Sequence, residues 1–202
     1  MIRFASVVAA VAMLAVTLYL AGPSQGQEKV TPIKIGETVT FKGLPGVDGK
    51  SHSLSEYKKD VVVVIVTCNH CPVAVQYEDR IIAFTKSFGD KVDVVAINVN
   101  NTEQDKMPKM IERAKEKGFN FPYLYDETQS IAKVLGATVT PHFFVLNKER
   151  KLVYRGAMDD SNNPSSAKVN YLEAAVKGTM ANDALTTTET KARGCGVRYD
   201  TK

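Results

Sequence analysis

Beyond its first two dozen residues this chain holds no apolar run long enough to cross a membrane. It also lacks any block of like charge. The 26 Lys and Arg stand against 22 Asp and Glu for a formal charge of +4. These charges are interspersed, with both signs between Lys106 and Lys117, which is the pattern of a solvated helix face and gives nucleic-acid binding no support. No internal repeat or low-complexity stretch is present. Cysteine is scarce, with only Cys68, Cys71 and Cys195. None lies near the N-terminus, so that region offers no sulfur for lipid attachment. No second Cys or His pair at close spacing accompanies Cys68 and Cys71, which argues against a structural zinc site.

What is present begins with an export pattern. Arg3 is followed by an almost continuously apolar stretch, Phe4 to Ala21, and then by Gly22-Pro23-Ser24-Gln25-Gly26-Gln27. A basic start, an apolar middle and small or polar residues are the three regions of a secretory signal peptide, with cleavage expected between Ala21 and Gln27. The alternative is an uncleaved anchor, because the run of about 18 residues is at the lower edge of spanning length. The chain of 202 residues fits one domain. The expected organisation is a signal or anchor over 1–26, an extended lead-in over 27–36, a domain over 37–180 and a tail carrying Cys195 over 181–202. In an exported chain an odd cysteine count leaves one thiol over, and if Cys68 pairs with Cys71 the remainder is Cys195.

Val61 to Val66 is six consecutive β-branched residues without alternation, which predicts a strand covered on both faces. From Pro72 the period changes, and Val73, Tyr77, Ile81, Phe84 and Phe88 fall on one helical face while Glu78, Asp79 and Lys86 point mostly away. Gly89 closes that helix. Val92 to Val99 predicts a second buried strand and Asp105 to Lys117 a helix ended by Gly118. A loop or short strand at Phe119 to Tyr125 and a short helix, Thr128 to Leu135, follow. His142 to Leu146 predicts a third strand, Leu152 to Arg155 its hairpin partner, and Lys168 to Lys177 a last helix. Asp48-Gly49 marks an earlier short hairpin. The order predicts an α/β domain with a central mixed sheet and helices on both faces.

Cys68-Asn69-His70-Cys71-Pro72 therefore sits between a buried strand and the first turn of a helix. A helix N-terminus stabilises anions, and the thiolate is the reactive form of cysteine. The spacing suits reversible exchange, with an exposed first thiol attacking and a second, tucked beneath it, resolving the mixed disulfide. This assigns attack to Cys68 and resolution to Cys71. A partly cationic His70 would favour the thiolate further, lowering its pKa and making the couple more oxidising.

The strand followed by Cys-x-x-Cys-Pro, with Val139-Thr140-Pro141 ahead of a buried strand, resembles the thioredoxin superfamily. More closely, Thr67 to Val73, Tyr77-Glu78-Asp79-Arg80, Val95 to Asn100, Thr140 to Leu146 and Gly194 to Tyr199 are similar to the redoxin, or peroxiredoxin-like (AhpC/TSA-type), branch. The likeness spans about Lys34 to Tyr199. It implies a thioredoxin-like fold, a cis bond at Pro141 facing the cysteines, and backbone beside it left free to pair with an extended peptide. Asn69 and Thr140 would then face substrate. Two departures stand out. The peroxidase pattern places Thr three residues before a Cys-Pro pair, where this chain has Cys68. Val61 to Val66 also lacks the acidic residue that thioredoxins use as proton acceptor, leaving water, His70 or a carboxylate from elsewhere.

The resulting expectation is an exported thiol-disulfide oxidoreductase. Its catalytic residues are Cys68, Cys71, His70 and Pro141, its redox disulfide is Cys68/Cys71, and Cys195 is either a third redox thiol or a packed tail residue. Its partners are protein thiols or disulfides and an upstream redox donor or acceptor, and its only membrane link is an uncleaved N-terminal segment. No cofactor is called for. The alternatives are a peroxiredoxin-like peroxide reductase and a copper- or zinc-binding chaperone using Cys68, Cys71 and His142, a soft set of donors; metal binding is the lesser expectation. His52 is expected in a surface turn, and Asp159-Asp160 solvated.

Overall fold

The computed structural model describes residues 30–200. The expected signal segment and the start of the lead-in lie outside the described residues. No helix among the described residues is long and apolar enough to cross a membrane.

A short hairpin, β1 (Leu44–Pro45) and β2 (Ser51–His52), precedes the central strand β3 (Val61–Thr67). The helix α1 (Pro72–Phe88), strand β4 (Val92–Asn98), helix α2 (Met107–Lys117), strand β5 (Tyr123–Tyr125) and helix α3 (Ser130–Leu135) follow. Then come β6 (Val139–Thr140), β7 (His142–Leu146), β8 (Leu152–Gly156), α4 (Tyr171–Ala181) and, in the tail, β9 (Cys195–Gly196). The main sheet has the order β5-β4-β3-β7-β8. It is mixed: β3 runs parallel to β4 and β4 to β5, whereas β3 to β7 and β7 to β8 are antiparallel.

Because successive strand residues point to opposite faces, the β-branched run of β3 feeds two cores. Val61, Val63 and Ile65 pack with Tyr77, Ile81 and Phe84 of α1, Met110 of α2 and Leu172 and Val176 of α4. Val62, Val64 and Val66 pack on the other face with Ile131 and Leu135 of α3 and with Val39 and Phe41 of the incoming segment. Helices thus cover both faces, as the unalternating pattern predicts. α2 starts two residues later than its periodicity suggests, because Glu103–Asp105 forms a separate 3₁₀ turn before it.

Two expectations about polar residues are corrected. Glu78 is buried, not solvent-facing, because Arg113 of α2 reaches it with Nε to Oε1 at 2.9 Å and Nη2 to Oε2 at 2.7 Å. Asp159 is buried as well, since Arg80 donates to it at 2.6 Å and the Tyr77 hydroxyl at 3.1 Å. In both cases the partner that offsets burial of the charge comes from a distant part of the chain. His52 lies between Asp48 and Glu56, with Nε2 3.0 Å from the former.

Candidate active site

The site forms where β3 ends. Cys71 is the N-cap of α1, its sulfur accepting from the Ala74 backbone N–H at 3.4 Å, and Pro72 occupies the first turn where no N–H is needed. The peptide bond between Thr140 and Pro141 is cis. Thr140 stands against both cysteines of the motif. Its hydroxyl is 3.1 Å from Cys68 Sγ, and its carbonyl oxygen is 3.1 Å from Cys71 Sγ.

The disulfide differs from the expected Cys68/Cys71 pair. Cys71 is bonded to Cys195, 124 residues away in sequence, and Cys68 is a free thiol. The reason is the tail. Residues 195–196 form β9, which pairs antiparallel with β6 and sets Cys195 opposite Thr140. The backbone edge beside Pro141 is therefore occupied by the chain's own tail, and Thr140, expected to face substrate, is buried. A Cβ on Gly194 would run into the Thr140 carbonyl, so only glycine permits this approach.

The tail is anchored beyond its disulfide. Val197 N–H donates to Thr138 O at 3.0 Å and Arg198 N–H to Asn100 Oδ1 at 3.1 Å. Gln129 grips it from the N-terminus of α3, where its backbone is left-handed (φ 59°). Its Nε2 donates to Arg198 O at 2.7 Å, and its Oε1 accepts from Asp200 N–H at 2.7 Å. The Tyr199 hydroxyl closes on Ala137 O at 2.6 Å. Flanking glycines signalled an unusual path at Cys195. The Gln129 clamp had no sequence signal.

Cys68 is not the exposed thiol of the expectation. It is 2 % exposed and Cys71 0 %, whereas Cys195 is only partly buried. Burial, aided by the charge of Asp105, pushes the Cys68 thiol up. The Thr140 hydroxyl, the Cys71 backbone N–H and the side chain of Asn100 pull the other way. The amide nitrogen of Asn100 is buried and makes no hydrogen bond among the described residues. The expected low thiolate pKa is thus opposed by desolvation.

His70 is directed at Asp105, not left to act on sulfur alone, with Nδ1 2.5 Å from Oδ2. Asp105 is fully buried and also accepts from the Asn69 backbone N–H at 2.7 Å and from the Thr102 hydroxyl at 2.5 Å. This is a carboxylate brought to the motif from outside β3, from the 3₁₀ turn before α2. Asn69 is held by the Tyr123 hydroxyl at 2.9 Å and by Gln104 O at 2.8 Å, and lines an open groove of about 250 Å³ with Lys109 and Arg113.

Cys68, His70 and Asp105 each offer one donor atom, all within 4.8 Å of one another, and are the described residues that could share a metal ion. His142, assigned to a metal with Cys68 and Cys71 in the alternative reading, is not in that group. Its Nδ1 lies 3.4 Å from the Thr138 backbone N–H, and burial and then Arg155 push its pKa down to about 4.

The family model described as Redoxin matches residues 28–174. The chain belongs to the redoxin family. Among solved structures, this redoxin is similar to an uncharacterized conserved protein from Geobacillus kaustophilus at 31% identity, over 84% of this chain and 94% of the other, with a TM-score of 0.77. It shares its fold with a putative thiol:disulfide interchange protein, DsbE, from Chlorobium tepidum (17% identity, 74% and 99% covered, TM-score 0.61). The same holds for an exposed lipoprotein thioredoxin from Streptococcus pneumoniae (22% identity, 69% and 99% covered, TM-score 0.55). The fold is therefore thioredoxin-like. A comparison with curated proteins finds no match.

Proposed function

We propose that this redoxin is an extracytoplasmic thiol-disulfide oxidoreductase that exchanges electrons with protein thiols through Cys68, Cys71 and Cys195. The observation that carries this reading is the meeting of a bonded sulfur pair and a free thiol at one residue, Thr140. The export pattern of Arg3 and Phe4 to Ala21 supports the location.

The chemistry needs one internal step. Cys68, once it has lost its proton, attacks Cys71 Sγ, the Cys71–Cys195 bond breaks, and Cys195 leaves as a thiolate that takes up a proton. The Cys68–Cys71 pair implied by the Cys-x-x-Cys spacing is then the second disulfide state of the same site. The Thr140 hydroxyl, 3.1 Å from Cys68 Sγ, favours the attacking thiolate against the larger opposing effect of burial, and α1 favours negative charge on Cys71 in any exchange that frees that sulfur. The test is to map disulfides in wild type and in Cys195→Ser while following oxidation of a reduced dithiol peptide. Formation of Cys68–Cys71 in the variant is expected; a variant that keeps both thiols free under oxidation overturns the internal step.

A second reading, peroxide reduction, is favoured by the same Thr140 hydroxyl beside the free thiol. The Cys68 thiolate attacks the terminal oxygen of a hydroperoxide, the O–O bond breaks, and the departing oxygen takes up the proton that Cys68 gave up, leaving a sulfenic acid and an alcohol or water. Loss of the Cys68 thiol on adding peroxide, faster than for free cysteine, would select it.

A further inference from the structure

We infer that Cys195 is the sulfur at which an external dithiol exchanges with this site, and that exposed cations of the tail select a protein or peptide whose cysteines have acidic surroundings. The inference rests on the oxidoreductase reading and names where, and with what, that exchange takes place.

Exposure decides among the sulfurs. An incoming thiolate must reach a bonded sulfur, and of the bonded pair Cys71 is wholly enclosed while Cys195 is only partly buried. Leaving-group chemistry points the same way, because exchange is faster when the departing thiol is the more acidic one. Attack at Cys195 expels Cys71, which sits at the N-cap of a 17-residue helix with the Ala74 N–H directed at its sulfur. Attack by an external thiolate at Cys71 would expel Cys195, which no helix N-terminus supports; that route is left to Cys68, already packed beside Cys71 inside the fold.

The tail is also held by contacts that do not involve the bond: the β6–β9 pairing, the Gln129 clamp and the Tyr199 hydroxyl bond. A reduced Cys195 consequently stays beside Cys71, ready to be oxidised again. A purely structural staple would be needed where such contacts are missing.

Lys191, Arg193 and Arg198 flank Cys195 in sequence and are exposed. Arg193 donates to the Asp159 carbonyl, and Glu189 is paired with Arg155 at 2.7 Å. Asp160, near Arg193, and Asp200, held by the neutral Asn101 amide at 2.6 Å, keep their negative charges. Lys191, Arg193 and Arg198 outnumber these two, and among the described residues Lys191 and Arg198 form no ion pair, so the local field is net positive and draws in acidic partners.

The electron count closes. One substrate thiolate bonds to Cys195 Sγ as the Cys71–Cys195 bond breaks, and Cys71 leaves with the electron pair. The substrate's second thiol loses its proton and attacks the substrate sulfur of the mixed disulfide, releasing Cys195. The substrate becomes a disulfide, and the two protons end on Cys71 and Cys195.

The experiment uses the full chain and a short peptide whose single thiol is activated as a mixed disulfide with thionitrobenzoate. With Cys71→Ser, the peptide adduct is expected on Cys195 by mass mapping. Fully reduced wild type, given substoichiometric peptide and quenched early in acid, carries the same test should that variant not fold. An adduct on Cys68 with Cys195 left free overturns the inference while leaving the oxidoreductase reading intact. Failure of oxidised wild type to oxidise any dithiol peptide overturns that reading itself. For the charge selection, a dithiol peptide with Asp and Glu flanks should be oxidised about tenfold faster than one with Lys flanks at low salt, the ratio collapsing at high salt. Arg193→Glu with Arg198→Glu should reverse the preference, and equal rates for the two peptides in wild type overturn it.

Discussion

The hydroxyl of Thr140 lies 3.1 Å from the sulfur of Cys68. Residue 140 therefore opposes the upward push of burial on a thiol 72 positions earlier, and its own backbone is pinned by Cys195. Thr140→Val keeps the shape and removes the hydroxyl. The thiol pKa should rise further, by the worth of about one hydrogen bond, roughly 1 kcal/mol. Alkylation of Cys68 at neutral pH should slow about fivefold, since that energy is about 0.7 of a pKa unit. An unchanged rate would remove Thr140 from control of the thiol.

Asp105 acts with the opposite sign. Its carboxylate raises the Cys68 pKa, so Asp105→Asn, which keeps an acceptor for the Asn69 N–H, should lower it and speed alkylation on the order of threefold or more. The same shift links Cys68 to stability. A thiol raised by folding is stabilising below its unfolded pKa, so that contribution is lost as pH climbs from about 8.5 through the folded value. Urea midpoints of wild type should fall across that window, and more shallowly in Asp105→Asn.

His142 gives an acid-side test. With a pKa depressed to about 4 from 6.5, it stays neutral in the fold while the unfolded chain takes up a proton. Stability is then full above pH 6.5 and declines as pH falls towards 4, by roughly 3 kcal/mol for a fully expressed shift. His142→Gln should flatten the slope of unfolding free energy between pH 4 and 6.5. A slope equal to that of wild type would place the acid sensitivity elsewhere.

Glu78 and Arg113 tie α1 to α2 through two parallel hydrogen bonds, with the carboxylate buried. Arg113→Ala leaves that charge unpaired and should cost about 3 kcal/mol in urea denaturation. Lys117, 3.9 Å from Glu78, supplies a partial replacement. Arg113→Lys should cost less than Arg113→Ala; equal losses would mean that the bidentate geometry of the guanidinium, which an ammonium cannot reproduce, matters more than the charge itself.

Gly194→Ala places a methyl group against the Thr140 carbonyl. β9 should move off β6, the fraction of Cys71–Cys195 in non-reducing peptide maps should fall, and Cys195 should become open to alkylation. Retention of the full disulfide would show that the tail accommodates the methyl group by another path.

Much of the fold could be read from sequence because its signals are local. Six β-branched residues made β3 recognisable, and Cys71-Pro72 marked the start of α1. The convergence of the Cys-x-x-Cys motif with Thr140-Pro141 was legible through family resemblance. What stayed hidden depends on long-range partners. Glu78 looks solvent-facing until Arg113 arrives, Asp159 until Arg80 does, and a two-residue strand such as β9 has no periodicity to detect. The same holds for Asp105, whose local surroundings suggested the start of a helix rather than a carboxylate beneath the cysteine motif.

The tail's lodging against β6 also orders events in time. A chain growing from its N-terminus lays down Cys68, Cys71 and every strand of the five-stranded sheet before it reaches Cys195. Until then Cys71 has only Cys68 as a partner within the chain, and the edge at Val139–Thr140 lies open. The edge that β9 occupies is thus closed only by a segment made after the whole five-stranded sheet, and the bond of Cys71 to Cys195 waits on the end of synthesis.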